Sequence, residues 1–332
     1  MSVGIGRFSD RRGFALLVVI VVLLLVSLLA SQLILQVRAE LRSAANSREA
    51  TSGRLLAEGA VNLALFRLLD KPEPGSEPEW LGTEEFSPGR TYETVLPIGK
   101  IEYTARDESG KINLNASTAG LLIMFLQYQG LKPEEVAVVL DSLQDWRDND
   151  NLVRLNGAEL DYYEGLDPPY IPRNGNFEDP GEFFLLRGTE ILRGRFDPYE
   201  VFTVHASANR LNFDSLSPPV LEFLVNGDQD GVSQYRQLKE AGGRLNEAQA
   251  QQLMGPERYA QLRNYLGFNQ KAGLFYSIVA KGWATAGGAP AQPDQEGGSG
   301  DGAGGRPGVA IVALVRLEKD GFNYLSWREK YL

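Results

Sequence analysis

The chain has 332 residues, of which 43% are hydrophobic, so it is long enough for two or three modules with substantial cores. Its formal net charge is −10 and no cluster of basic residues stands out, which argues against a surface for nucleic acid. The lack of cysteine excludes disulfides and thiolate metal sites, and the single histidine, His205, excludes sites built from several histidines.

The chain opens with a short basic segment followed by a long apolar one. Arg7, Arg11 and Arg12 precede a mostly apolar segment from Phe14 to Leu35. As a helix, that segment would span roughly 33 Å, enough to cross a bilayer core. Because basic residues tend to stay on the cytoplasmic side, residues 36–332 are predicted to lie outside the cytoplasm.

The edge of this apolar segment indicates where a peptidase would cut. An ordinary secretory signal is cut after its apolar region. Here the sharp boundary, between Gly13 and Phe14, comes before that region, so cleavage there would leave the hydrophobic helix on the mature protein. Three other interpretations stay open: a signal anchor, a cleavable signal with a poor site near Ala30, and a twin-arginine signal interrupted by Asp10.

A single helix is predicted to continue from the apolar segment to about residue 69. No proline occurs from residue 14 to residue 70, and Pro72 and Pro74 follow. Apolar residues recur at roughly helical spacing in the second half of the helix, at Leu41, Ala45, Leu56, Ala60, Leu63 and Phe66.

Strands are predicted on both sides of a helical middle. Residues 71–90 read as a loop from their proline and glycine content. Residues 287–308 are rich in Gly, Ser, Asp and Pro, and we predict a disordered hairpin insert rather than a site. β-Branched and aromatic residues are frequent in four segments, residues 91–97, 100–106, 274–280 and 309–315.

The middle of the chain, about residues 113–270, is mostly helical by pattern and contains an internal sequence repeat. In each half, a short strand leads into a cluster of Asn, Asp and Ser that can cap a following helix. We therefore predict two similar units, at about 113–205 and 209–270. His205 ends a predicted strand over 201–205, and we assign it a structural role.

Several short motifs occur in order along the chain. Together with an apolar segment that begins directly after Gly13, this ordered set resembles the general secretion pathway protein K family, the K-type minor pseudopilins of type II secretion systems. The resemblance covers nearly the whole chain, although the glycine-rich insert departs from the compact hairpin expected there. The motifs are Asp107–Asn115, Asp145–Asp148, Asn156–Glu159, Pro168–Tyr170, Pro172–Gly175, Phe183–Gly188 and Leu325–Glu329.

The resemblance implies an α+β fold. A pilin-like long N-terminal helix would pack on an antiparallel sheet, with a large all-α, SAM-like domain inserted. The implied divisions are a leader at 1–13, a membrane segment at 14–35, the periplasmic half of the helix at 36–70, the first part of the sheet at 71–112, the inserted domain at 113–270, and the last part of the sheet at 271–332.

The resemblance also implies how the N-terminus is processed. A prepilin peptidase would cut between Gly13 and Phe14 and methylate Phe14. Most members of the wider pilin class carry Glu at the fifth mature position, where it offsets the N-terminal ammonium of the subunit ahead, but this chain has Val18. A subunit with none ahead would bury that carboxylate unpaired, so Val18 fits a subunit at a filament tip.

The implied function is a minor pseudopilin that caps the periplasmic pseudopilus and helps initiate its assembly for export across the outer membrane. Implied partners are the I- and J-type minor pseudopilins, the major pseudopilin, prepilin peptidase, the secretin and secreted substrates. The protein would be a single-pass protein of the bacterial inner membrane, with its N-terminus cytoplasmic and its bulk periplasmic.

An acidic stretch in the middle of the chain suggests a calcium site. Calcium takes six to eight oxygen ligands, and members of the family are expected to bind it in the helical domain. The pattern is not an EF-hand, and a solvated acidic face with arginine salt bridges stays an open alternative. The candidate ligands are Asp145, Asp148, Asp150, Glu159 and Asp161.

Alternative functions from other classes share some of these sequence features. A minor type IV pilin or adhesin would share the leader and the long helix. Residues 113–117 resemble the opening of helix-hairpin-helix DNA-binding domains, but the turns that follow lack the Gly-x-Gly needed for close approach to phosphate. Nothing fixes the separation of any carboxylate pair for glycosidase chemistry, so no enzymatic activity is expected.

Overall fold

The computed structural model describes residues 11–69, 86–116, 119–205, 210–242, 244–268, 273–285, 308–319 and 321–332. Side chains on the first helix are described from Leu16 onward. The predicted insert at 287–308 therefore lies outside the described residues except for Gly308, as do most of the predicted loop at 71–90 and most of the leader at 1–13.

A 59-residue helix, α1 (Arg11–Leu69), forms the first element of the fold. Residues 16–48 are exposed along its whole circumference, and burial begins in the second half. Because pairs of residues recur every four positions, they form one stripe along the helix. The buried stripe consists of Leu56, Ala57, Ala60, Val61, Ala64 and Leu65.

The strands follow in chain order as β1 (Thr91–Leu96), β2 (Gly99–Asp107), β3 (Ile112–Asn113), β4 (Phe202–Thr203), β5 (Leu211–Asn212), β6 (Leu266–Gly267), β7 (Phe275–Ala284), β8 (Gly308–Glu318) and β9 (Gly321–Tyr331). Five of them form one antiparallel sheet in the order β1-β2-β7-β8-β9. The α+β class with a long N-terminal helix on an antiparallel sheet is confirmed.

Helix α1 packs on β2, β7 and β8 through a seam of small residues. A Cβ added at Gly282 of β7 would overlap the backbone of Gly53 and Ala57. The backbones of helix and sheet can therefore approach closely only where glycine stands. The buried apolar side chains on either side of this seam form the core of the pilin-like body.

The region between β2 and β7 contains short helices: α2 (Ala119–Tyr128), α3 (Pro133–Arg147), α4 (Leu160–Glu164), α5 (Pro198–Val201), α6 (Pro218–Leu224), α7 (Gln229–Glu240), α8 (Glu247–Met254) and α9 (Pro256–Leu262). It is not purely helical, because β3 pairs in parallel with β4 and β5 pairs in parallel with β6. Each pair joins the two ends of one predicted unit, although the domain boundaries themselves stay a prediction.

The two predicted units share one hydrophobic core. The ring of Phe125 lies 5.3 Å from that of Phe196, 5.7 Å from Phe202 and 5.5 Å from Phe223. Phe223 belongs to the second unit and the other rings to the first, so neither half buries its apolar face without the other. The predicted strand over 201–205 is shorter than expected, covering only Phe202–Thr203.

The Asp107–Asn115 motif lies at the junction of the sheet and the inserted region. Asp107 accepts hydrogen bonds from the amides of Ser109 (2.9 Å) and Gly273 (2.6 Å). A Cβ at Gly110 would overlap the carbonyl oxygen of Ser215. The motif therefore has a structural role, because it packs the inserted region against the sheet. His205 lies at the same junction, where its ring stacks on Phe275 at 5.4 Å and burial lowers its pKa.

Candidate metal site

The candidate site lies in the loop that follows α3. The helix ends at Arg147, and Asp148 closes it by donating its amide to the carbonyl of Gln144 at 3.1 Å. The chain returns to helix at α4, directly after Glu159. The loop from Asp148 to Glu159 thus has both ends held by helices, which brings its carboxylates together.

Three of the five predicted ligands meet in one group. Asp148, Asp150 and Glu159 each offer a carboxylate oxygen, and these oxygens all lie within 4.8 Å of one another. Asp150 is exposed, so solvent reaches the group from one side. Three hard oxygen donors with solvent access form a partial shell for a cation such as Ca²⁺, which can complete its coordination with waters.

Glu159 is the most unusual member of this group. It is only 5% exposed, and neither of its carboxylate oxygens has a hydrogen-bond partner among the described residues. Burial raises its pKa to about 7, and the charges of Asp145, Asp148 and Asp150 add to the increase, while Arg154 opposes it. A buried carboxylate without a partner is costly. A bound cation would remove that cost.

Arg154 engages the neighbouring acids. Its Nη1 lies 2.5 Å from Oδ1 of Asp145 and 2.5 Å from Oδ2 of Asp148. Its backbone amide also donates to Oδ2 of Asp145, at 3.2 Å. Both oxygens of Asp145 are therefore occupied, and the hydrogen bonds to the two aspartates raise the pKa of Arg154.

Two predicted ligands fall outside the group. Asp145 is fully buried on α3, but its oxygens face Arg154. Asp161 is exposed in the first turn of α4. The open alternative of arginine salt bridges thus describes Asp145 and one oxygen of Asp148. Asp148, Asp150 and Glu159 nevertheless lie close enough together for one ion.

Sequence reasoning missed two residues that shape this loop. A Cβ at Gly157 would overlap the Asp145 carboxylate, so glycine is required there. Asn174 adopts a positive φ of 48° and its Nδ2 contacts Oδ1 of Asn151 at 3.2 Å, while its own Oδ1 is buried with no partner among the described residues. The Asn-Gly pair at 174–175 is a turn signal, but it does not indicate contact with the loop.

A second acidic residue, Glu182, joins the end of α3 to residues that follow the loop. Glu182 accepts two hydrogen bonds from Arg173, at 2.8 and 2.9 Å, and one from Nε1 of Trp146 at 3.3 Å. The Trp146 ring also lies edge-to-face with Tyr163, at 5.4 Å. These contacts join α3 to the Pro172–Gly175 motif through Arg173. Gly188 of the Phe183–Gly188 motif packs on α3 directly, because a Cβ there would lie 2.9 Å from the side chain of Val138. Both motifs therefore act in packing.

The predicted processing site lies at the start of α1. The backbone of Gly13 and Phe14 is helical, and Val18 is 43% exposed. Within the part of the chain that the structure describes, the stretch of α1 from Leu16 to Leu69 is the one helix long and apolar enough to cross a membrane.

The chain is similar in sequence to proteins of type II secretion systems. The family described as type II secretion system (T2SS), protein K matches residues 105–193, which include the whole candidate metal site. Type II secretion system protein K of Klebsiella pneumoniae is 27% identical over 222 residues, covering 63% of this chain and 67% of the relative. The protein of the same name from Aeromonas hydrophila is 27% identical over 239 residues, covering 64% and 70%.

The structure also matches one chain in the crystal structure of the GspK-GspI-GspJ complex from the enterotoxigenic Escherichia coli type 2 secretion system. The matched chain is 18% identical, with a TM-score of 0.48, and the alignment covers 89% of this chain and 99% of that one.

Proposed function

Because this chain belongs to the type II secretion system protein K family, we propose that this minor pseudopilin caps the tip of the pseudopilus and helps initiate its assembly. The observation that carries the proposal is Val18, an apolar residue on an exposed apolar helix. In lipid, a glutamate there would need a cationic partner in the next subunit. A subunit without that need suits the end of a filament.

The test is assembly with neighbouring subunits. The full chain, extracted from membranes in mild detergent, should co-purify with its I- and J-type minor pseudopilins, and cells lacking it should form few pseudopili. The Val18→Glu variant should still join these partners but support less assembly, because its carboxylate lacks a partner at the tip. A full chain that joins neither type would contradict the proposal.

Processing of the N-terminus is the second part of the proposal. Prepilin peptidase would cut between Gly13 and Phe14 and methylate Phe14. Mass spectrometry of the membrane-extracted protein should then find a chain that begins at N-methyl-Phe14. An intact Met1 would contradict this step without touching the family assignment.

The proposed location and partners follow from the same helix. The chain would be anchored once in the inner membrane, with the basic residues before Phe14 in the cytoplasm and residues 36–332 in the periplasm. The major pseudopilin would follow below it, and the secretin and secreted substrates would lie within reach. The family is a structural component of the secretion system, so we propose no catalytic activity. The type IV pilin and DNA-binding alternatives gain no support from the comparisons.

We further propose that Asp148, Asp150 and Glu159 bind Ca²⁺. The unpartnered, buried Glu159 carboxylate supports this, because its oxygens are hard donors held close to two others. In this proposal Asp145 is not a ligand but orients Arg154, and Asp161 stays outside the site. Calorimetric titration of the full chain with CaCl₂ after EGTA treatment should show one saturable binding event, and a flat titration would contradict the site.

A further inference from the structure

The loop beside the candidate metal site has its polar and apolar groups reversed relative to an ordinary surface loop. Leu152 is 77% exposed, Val153 62% and Leu155 97%. The polar side chains of Arg154 and Asn156, by contrast, bond to carboxylates on α3. Three aliphatic side chains within four positions thus lie in solvent, whereas isolated exposed apolar residues are ordinary on protein surfaces.

The anchors on the inner side of the loop hold this arrangement. Arg154 bonds to Asp145 and Asp148, as described above. Asn156 donates to Oδ2 of Asp141 through its backbone amide at 3.0 Å and its Nδ2 at 2.9 Å. Because Arg154 and Asn156 alternate with Val153 and Leu155, turning the aliphatic side chains inward would break these bonds. The exposure is imposed by the loop's own hydrogen bonds.

The surroundings of the loop are strongly acidic. Residues 148–167 carry six carboxylates and a single arginine, a net charge of −5. One bound Ca²⁺ would still leave −3. The exposed acids of this stretch are Asp150, Asp161, Glu164 and Asp167.

We propose that Leu152, Val153 and Leu155, the 152–155 surface, form a docking site for a protein whose contact surface is apolar and rimmed by lysine and arginine. Charge complementarity selects this occupant, because acids around an apolar centre favour a basic rim on the partner. An anionic lipid surface would instead be repelled. The inference rests on the proposed function for its location, and on the calcium proposal for the order of the loop.

Photo-crosslinking in living cells identifies the occupant. The full chain would carry benzoylphenylalanine in place of Leu155, and in a matched control in place of Ile98, which is 64% exposed in the turn between β1 and β2. We expect an adduct with one defined protein at position 155 and none at 98. Sequencing of the adduct should place the crosslink in an apolar segment flanked by Lys or Arg.

Substitution then tests whether the contact matters. The double variant Leu152→Ser/Leu155→Ser should keep the wild-type melting temperature, because both side chains are exposed. Loss of two apolar contacts at the centre of an interface should weaken the crosslinked complex and reduce export by about tenfold or more. The Ile98→Ser variant should export normally.

The outcomes separate this inference from the function on which it rests. Equal adducts at positions 98 and 155, adducts with lipid only, a partner with an acidic contact segment, or normal export by the double serine variant would each overturn the docking site. In all these cases, co-purification with the I- and J-type pseudopilins would leave the tip function standing. Loss of co-purification by the wild-type chain would remove the tip function instead.

Discussion

The ammonium of Lys111 lies 2.5 Å from Oε1 of Glu108, and both side chains are at most 5% exposed. Lys111 also donates to Oγ of Ser277 on β7, at 3.1 Å. One buried ion pair therefore connects the end of β2, the start of the inserted region and the central strand of the sheet. It lies at the base of the insertion, next to the hydrogen bonds that Asp107 accepts from Ser109 and Gly273.

Removing one partner of this pair should destabilise the protein strongly. The Lys111→Met variant leaves the Glu108 carboxylate buried without its cation, and we expect a loss of about 3–5 kcal/mol in the free energy of unfolding. The matched control is Lys100→Met, which breaks an exposed pair with Glu93 and should cost at most about 1 kcal/mol. Urea denaturation of both detergent-solubilised variants measures the difference, and equal losses would contradict the assigned role.

Adding one methyl group at Gly157 should disturb the loop from Asp148 to Glu159. In Gly157→Ala the new Cβ overlaps the Asp145 carboxylate and forces the loop away from α3, at a cost of about 1–3 kcal/mol. Gly59→Ala is the control, because nothing lies within 4 Å of that position and alanine favours helix by about 1 kcal/mol. Thermal denaturation should therefore show opposite shifts, and a neutral Gly157→Ala would mean that the loop moves freely.

Replacing Glu159 by Gln should change how the stability of the calcium-free protein depends on pH. The pKa of Glu159 is about 7 in the folded protein against 4.5 as its ordinary value. The folded state therefore holds the extra proton, and calcium-free protein should lose stability as pH rises from about 4.5 to about 7. Glu159→Gln should flatten that loss in EGTA.

The same variant should lose its stabilisation by calcium. For the wild type, calcium at about 100 times its dissociation constant should add about 2.7 kcal/mol, whereas Glu159→Gln should gain far less. Melting curves with CaCl₂ and with EGTA, at pH 6 and pH 8, give all the comparisons. The Asp161→Asn variant is the control and should respond to calcium like the wild type. An identical response from Glu159→Gln would remove Glu159 from the ligand set.

Glu182 should control the acid limit of stability. Burial raises its pKa, but hydrogen bonds from Arg173, the backbone amide of Glu178 and Trp146 outweigh burial, so the net pKa is lowered. Its contribution is full above the ordinary value of 4.5 and is lost as pH falls through the lower folded pKa. Glu182→Gln should remove this acid dependence, whereas Glu178→Gln, at a site 77% exposed, should leave it intact.

The long helix and the main strands could be predicted from sequence because each is encoded by a pattern within its own residues. An uninterrupted run without proline predicts α1. The β-rich segment at 309–315 lies inside β8, and the segment at 274–280 starts one residue before β7. Strand β9 was not predicted from its pattern, because its side chains mix aromatic and charged residues at a sheet edge. What specifies β9 is its pairing with β8, and no short window of sequence contains that pairing.

The sequence predicts that acidic residues form the metal site, but it does not show which of the five candidate carboxylates come together. Arg154 bonds to both Asp145 and Asp148, and they differ because the second oxygen of Asp145 also accepts from the Arg154 amide, whereas Oδ1 of Asp148 has no partner among the described residues. That difference depends on how the loop folds back on α3. The loop is also held by residues distant in sequence, such as Arg187, which donates to the carbonyl of Gly157 at 2.9 Å. Likewise, the shared core around Phe125 required residues nearly a hundred positions apart.

The unbroken course of α1 has a consequence for orientation. Because each residue turns a helix by about 100° and advances it by about 1.5 Å, the side on which Val18 lies is set by the side that carries Ala60. One residue inserted near Ser43 would leave the packed half unchanged yet turn the membrane half by about a quarter of a circle. The glycine contact at Gly53 and Gly282 thus decides which way the membrane-facing residues point, tens of ångströms away.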